Sequence, residues 1–280
     1  MADIYIAIAI LGALSIGAFV ITARVAREWS GGRRVLVLAA TVGAIAVFSL
    51  FVYDRLMLAR VLPVSSVVVL GNVVPLLAAV VVALVWTVPG PGKLRRVVLL
   101  AMLLLATGRM LYRPLMGEKP LCGDAWEDEV CMQTTEATCG AAAAATLLSH
   151  YGVDATESEM VDLCLTRQGT LRLGLYRGLR LKSPADRRVE VIRGDLGTLR
   201  SKATEPMVIF VGLRRGQKAD PRYARDWGWT PGLRHAVVLF GFTDDGMIDI
   251  GDPTHGREKW KVEALDVLWD GYGIRLSPRG

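Results

Sequence analysis

From its N-terminus the chain alternates long apolar runs with short arginine clusters, and it changes character near residue 117. Residues 4–23 and 35–53 carry no charge, and neither does the longer run 61–89, which contains Asn72 and Pro75. A fourth run, 97–115, is interrupted by Arg109 and Arg113. A helix rises about 1.5 Å per residue and the hydrocarbon core is about 30 Å thick, so each run is long enough to cross it. The pattern predicts four spans, near 4–23, 35–53, 64–88 and 97–115, with both arginines of the last snorkelling to one interface. Three spans are the alternative if those arginines keep the fourth run out of the bilayer. Asn72 and Pro75 mark either a broken helix lining a polar cavity or a kink with one buried hydrogen bond. Asp3 stands where a signal peptide is basic, so the first run is expected to remain as a span.

Beyond residue 117 the periodicities are those of a mixed domain. Residues 139–151 read as an alanine-rich helix closed by Gly152. Thr156-Glu157-Ser158-Glu159 reads as a capping box opening a second helix to about residue 166, and 171–181 as a third helix. Strand-like runs follow at 189–192, 207–213 and 235–242. The last turns at Asp244-Asp245-Gly246 and returns as 247–250. A short helix at 262–269 and a strand at 274–276 close the chain. Helices first and an antiparallel sheet afterwards predict an α+β domain over 117–280, behind a transmembrane helical domain over 1–116.

Composition agrees with that division. Of the 280 residues 52% are hydrophobic and 21% charged, with a mean hydropathy of +0.37, too apolar for a disordered or wholly water-facing chain. Residues 1–120 hold 12 Lys/Arg against 4 Asp/Glu, a balance of +8, and residues 121–280 hold 21 against 23, a balance of −2. The overall +6 therefore belongs to the loops of the apolar half, and no nucleic-acid face is implied. Arg24, Arg27, Arg33 and Arg34 follow the first span, Arg55 and Arg60 the second, and Lys93, Arg95 and Arg96 the third. The first and third loops are thus expected in the cytoplasm and the N-terminus outside it. Four spans then put the C-terminal domain outside the cytoplasm, and three would leave it inside. No acidic pair lies within the runs, so they read as an anchor rather than an ion path.

The candidate chemistry is confined to few residues, because the chain has three histidines and four cysteines. Cys139 opens the alanine-rich helix, where the positive end of the helix dipole favours a nucleophilic thiolate. Gly140 would let a substrate carbonyl approach the backbone N–H groups. Gln133, six residues upstream, is an amide donor able to help hold an oxyanion beside the Cys139 N–H. His235 opens the long hairpin and Asp252 ends its return strand, so the carboxylate could fix the imidazole tautomer. His150 reads as a residue of a helix C-terminus, and His255 is a rival base close to Asp252.

The run Gln133-Thr134-Thr135-Glu136-Ala137-Thr138-Cys139-Gly140, then His235-Ala236-Val237-Val238-Leu239-Phe240-Gly241, then Gly251-Asp252-Pro253, resembles the double-glycine-leader cysteine peptidases. These are papain-like domains found at the front of bacteriocin-exporting transporters, and the resemblance covers about residues 130–278. It implies Cys139 as nucleophile, His235 as base, Asp252 as its partner and Gln133 at the oxyanion hole. It also implies a narrow cleft cutting after small residues such as Gly-Gly. Two departures stand out: Thr138 replaces an aspartate usual before the nucleophile, and no G-x-x-x-x-G-K-[ST] loop occurs, so neither ATP nor export is expected of this chain by itself.

Cys122 and Cys131 are close enough in sequence for a disulfide bracing the Gln133 side, if the domain is outside the cytoplasm; Cys131 with Cys164 is the other pairing, and Cys164 alone reads as free and buried. No C-x-x-C pair suggests zinc, and no cofactor is expected. Trp227 and Trp229, ahead of His235, either wall the cleft or simply pack. The expected activity is a membrane-anchored cysteine peptidase acting on peptides or proteins at the bilayer surface. The alternatives are a thioester-forming acyl transferase on the same fold, or a non-catalytic membrane receptor or assembly factor that binds peptide tails.

Overall fold

In the first unit, Met1–Met116, predominantly apolar runs form helices whose outward side chains are greasy. The computed structural model describes residues 1–88 and 92–279. Its helices here are α1 (Ala2–Val25), α2 (Gly31–Val47), α3 (Met57–Val61), α4 (Val67–Leu70), α5 (Val74–Thr87) and α6 (Lys93–Tyr112). Four stretches, Ala2–Glu28, Gly31–Val52, Val67–Thr87 and Arg96–Leu115, are long and apolar enough to cross a membrane. Ile16, Leu36, Leu50 and Leu105 are each at least two-thirds exposed, an arrangement that suits hydrocarbon and not water. Pro89, the last residue of the third uncharged run, lies outside the described residues.

That third run is an interrupted helix. α4 stops at Leu70 and α5 starts at Val74. Between them Asn72 is 5% exposed, and its Oδ1 accepts the Val74 N–H at 3.2 Å. Pro75 follows in the first turn of α5, where its missing N–H costs nothing. Arg34, in the first turn of α2, donates to the carbonyls of Ala26, Arg27 and Thr87. Arg34 thereby ties the chain just after α1 to the last residue of α5. The short α3, unforeseen in the sequence, occupies the second loop.

The second unit, Gly117–Gly280, is α+β. A two-residue hairpin, β1 (Trp126–Glu127) with β2 (Val130–Cys131), precedes α7 (Cys139–His150), α8 (Glu157–Leu163) and α9 (Arg172–Lys182). Then come β3 (Arg187–Arg193), α10 (Leu196–Lys202), β4 (Met207–Val211), α11 (Arg222–Arg225), β5 (His235–Phe242), β6 (Met247–Asp252), β7 (Gly256–Lys261), α12 (Glu263–Leu268) and β8 (Trp269–Pro278). The main sheet runs β3-β8-β4-β5-β6-β7, with every neighbouring pair antiparallel.

Both faces of the sheet centre are covered. Ile209, Val211, Val237, Leu239, Ile248 and Ile250 share one apolar cluster with Leu199 of α10 and with Leu265 and Leu268 of α12. The alternate residues Val208, Val238 and Ile274 are also fully buried, and α7 lies against β5. The alanines 141–145 of α7 are wholly buried; their small side chains let the helix axis approach the sheet closely.

Several sequence expectations shift here. β4 stops at Val211 because Gly212 takes φ +151, with its hydrogen side against the Leu233 carbonyl. α8 stops at Leu163, since Leu165 adopts φ +56. The capping box is half made: Thr156 Oγ1 accepts the Glu159 N–H at 3.2 Å, but the Glu159 carboxylate is taken by Lys182 at 2.7 Å. β7 was not legible as a strand because its run Gly-Arg-Glu-Lys-Trp-Lys is charged, as suits a sheet edge that must not pair further.

Candidate active site

The sheet topology carries three of the residues to one end. His235 is the first residue of β5, Asp252 the last of β6, and Cys139 the first of α7, the helix packed on β5. His235 Nε2 and Asp252 Oδ1 are 2.7 Å apart, and Oδ1 also accepts the Thr254 N–H at 2.8 Å. Asp252 is 3% exposed, so little water competes for its charge. With Nε2 on Asp252, the other ring nitrogen remains, and the Cys139 thiol and the imidazole each shift the other's charge.

The electrostatics form one coupled system. Burial pushes the Cys139 thiol up, but hydrogen bonding to His235, the imidazolium charge and the N–H groups of Ala236 and Gly140 outweigh it. The thiol settles below its ordinary value of 9.0. Burial pulls His235 down, yet Asp252 and Cys139 together raise it to about 10. For Asp252, burial raises the carboxyl, and the bonds and charge of His235 reverse that to a net lowering. A thiolate–imidazolium pair oriented by a carboxylate is the arrangement these directions describe.

Gln133 is brought beside the same end. Its main-chain N–H donates to the Pro253 carbonyl at 2.8 Å, next to Asp252, while its side-chain Oε1 is buried without a hydrogen-bond partner. From there the chain reaches Cys139 through a tight turn, with the Thr138 N–H on the Thr135 carbonyl at 3.1 Å. Thr138 holds the N-cap position of α7, but its hydroxyl does not cap the helix: it donates back to the Thr135 carbonyl at 2.9 Å and accepts the Thr135 N–H at 3.1 Å. It stiffens the turn instead.

Gly140 does not face an open cleft. A Cβ there would stand 2.7 Å from Thr170 Cβ, so the glycine is needed for α7 to pack against residue 170. Gly140→Ala is expected to lower stability by about 1–3 kcal/mol through overpacking, which thermal melting would detect as a clear drop in Tm. An unchanged Tm would show that Thr170 moves aside freely.

The two tryptophans separate. Trp229 stands edge-on to His235 with ring centroids 6.3 Å apart and touches Trp260 at 5.9 Å. Trp227 is 55% exposed and packs on Tyr223 at 4.7 Å. His150 is in the last turn of α7, against Tyr151 and Phe240. His255 donates its main-chain N–H to the Asp252 carbonyl at 3.1 Å, and it is His235 that takes the carboxylate.

The disulfide expectation needs correction: all four cysteines are free thiols. Cys122 Sγ is turned toward the Pro120 carbonyl at 3.5 Å, whereas Cys131 is fully buried. Burial is the first cause that pushes Cys131 and Cys164 up to about 12, leaving both inert.

One residue near the site escaped sequence reasoning. Glu157 is completely buried, and its carboxylate accepts from the Thr134 N–H at 2.7 Å, the Thr134 hydroxyl at 2.5 Å and the Gly123 N–H at 3.1 Å. In the sequence it reads only as a first-turn acid of α8, because nothing local foretells its contact with a loop 23 residues upstream.

Comparison with known proteins adds the family. No curated protein matches the chain. Several solved structures are similar to about half of it. One is a double glycine motif protease from an AMS/PCAT transporter, solved with the leader peptide; it is 23% identical, with 54% of this chain and 91% of that one covered and a TM-score of 0.42. Another is the peptidase domain of Streptococcus ComA, a bi-functional ABC transporter of a quorum-sensing pathway, at 23% identity, 55% and 100% coverage and a TM-score of 0.42. The peptidase domain of Streptococcus mutans ComA is 22% identical, with 54% and 99% coverage and a TM-score of 0.38. The model of the peptidase C39 family matches residues 127–218, a stretch that includes Gln133 and Cys139 and ends before His235 and Asp252. Over residues 127–218, therefore, the chain is similar to the peptidase C39 family.

Proposed function

We propose that the chain is a membrane-anchored cysteine peptidase whose nucleophile is Cys139. The observation that carries this reading is the hydrogen-bonded pair His235–Asp252 at one end of the sheet, with Cys139 opening the helix packed on β5 and coupled in charge to His235. The Cys139 thiolate attacks the carbonyl carbon of a peptide bond. The Gln133 amide and the Cys139 N–H steady the oxyanion that forms. His235 gives its proton to the leaving amine, and Asp252 holds the ring and favours its charged form throughout. Water, deprotonated by the now neutral His235, then releases the acyl group and restores the thiol.

The four apolar helices support an anchor, and the arginines after the first and third support an N-terminus and peptidase unit outside the cytoplasm. Substrates are then peptides or proteins at the membrane surface. Cleavage after small residues such as Gly-Gly follows from the resemblance of the Gln133–Gly140 run. The test is purified full-length chain incubated with peptides containing or lacking an internal Gly-Gly, with products read by mass spectrometry. Cleavage after the second glycine supports the reading. Intact peptides that bind equally to wild type and Cys139→Ala would favour a receptor.

A further inference from the structure

We propose that Glu157 is a positioning residue for the oxyanion side of the site, acting through Thr134 on the adjacent Gln133. The inference rests on the role given to Gln133 above and extends it to a residue that touches no substrate.

The segment carrying Gln133 is held from two sides. On one, the Gln133 N–H is bonded to the Pro253 carbonyl, in the turn that follows Asp252. On the other, both donors of Thr134, its N–H and its hydroxyl, end on the Glu157 carboxylate. The Gly123 N–H completes the clamp, 2.6 Å from Thr134 Oγ1 and 3.1 Å from Glu157 Oε2. Glu157 itself cannot drift, since it sits in the first turn of α8, capped by the Thr156 hydroxyl on the Glu159 N–H and by Asp124 on the Ser158 N–H at 2.8 Å.

A carboxylate is costly to bury, and all three donors here are neutral. An amide or an apolar side chain would fill the same space with less desolvation. What only the carboxylate supplies is acceptor capacity for three converging donors, two of them on the residue next to the oxyanion amide. Release of that clamp lets the Gln133 backbone rotate about its Pro253 bond, so the amide would no longer be preset for the tetrahedral intermediate. The Cys139–His235–Asp252 series shares none of these bonds and should be unaffected.

This separation gives a test that needs no natural substrate. p-Nitrophenyl acetate acylates a thiolate through an oxyanion: the sulfur bonds the carbonyl carbon and p-nitrophenolate departs. Iodoacetamide alkylates it by displacing iodide, with no oxyanion. Both rates are read at Cys139 by mass spectrometry on the full chain in detergent, and their ratio reports the oxyanion hole apart from thiolate content. Glu157→Gln should lower the ratio about tenfold while the alkylation rate stays at the wild-type value. Gln133→Ala should lower it as well, and the double variant should fall no further than the more affected single one. Thr134→Val, which keeps one of the two donors, should act in the same direction but less, and guards against a folding defect in Glu157→Gln. A ratio unchanged in both Glu157→Gln and Thr134→Val overturns the proposal, as do losses that multiply in the double variant. Alkylation and acylation falling together also overturn it, because that would mean a merely structural role. If Gln133→Ala alone leaves the ratio unchanged, the oxyanion role of Gln133 fails first, and the role of Glu157 with it.

Discussion

Replacing Cys139 by alanine is expected to lower peptide cleavage by ~10,000-fold or more while leaving the melting temperature within a few degrees of wild type. The size follows from the mechanism: without the sulfur there is no acyl-enzyme, and the remaining groups can only polarise a carbonyl for water. The small effect on folding follows from the packing. Cys139 is partly exposed at the first turn of α7, and the helix is held by the buried alanines that follow. Cys139→Ser is the stricter control, since it keeps the shape but exchanges a thiol for a hydroxyl that does not ionise at neutral pH. Cleavage surviving in both variants would remove the nucleophile from the reading.

The second large effect is at His235. In the proposed mechanism His235 is the base, the acid and the counter-charge of the thiolate together, so His235→Ala is expected to reduce cleavage ~100- to 10,000-fold. Asp252→Asn should reduce it less, because the amide still accepts the Thr254 N–H and can orient the ring, but it no longer favours the charged imidazole. The graded order Cys139, His235, Asp252 distinguishes a working triad from three residues that merely pack. Equal and small losses at all three positions would point to packing.

What the sequence makes legible depends on how local its cause is. The first three apolar runs announce themselves by some twenty or more positions without a charge, and the fourth less clearly because Arg109 and Arg113 interrupt it. Cys139 stands out from its place before Gly140 and the alanines, and His235 and Asp252 from a hairpin whose turn at Asp244–Gly246 is written in the chain. Contacts made at a distance are not legible in the same way. The clash that keeps residue 140 a glycine is with Thr170, thirty positions on, and the clamp on Thr134 comes from Glu157 in another helix. β7 was hidden because an edge strand is selected for charge, the opposite of the apolar alternation by which strands are found. The thiols of Cys122 and Cys131 are near in sequence yet both free, which spacing alone cannot reveal.

The most direct measurement is the rate of iodoacetamide alkylation of Cys139 against pH, in wild type and His235→Ala. The sign is set by the shifts. The thiol is lowered below 9.0, so the reactive thiolate persists as pH falls until it is protonated at that lower value. The imidazole is raised to about 10, so its positive charge remains beside the sulfur up to that pH. A thiolate–imidazolium pair therefore predicts that alkylation in wild type rises at a pH below 9, with the rise moved to higher pH when His235 is removed. Identical profiles rising only near or above pH 9 in both proteins would contradict it, and would leave Cys139 an ordinary thiol at the end of a helix.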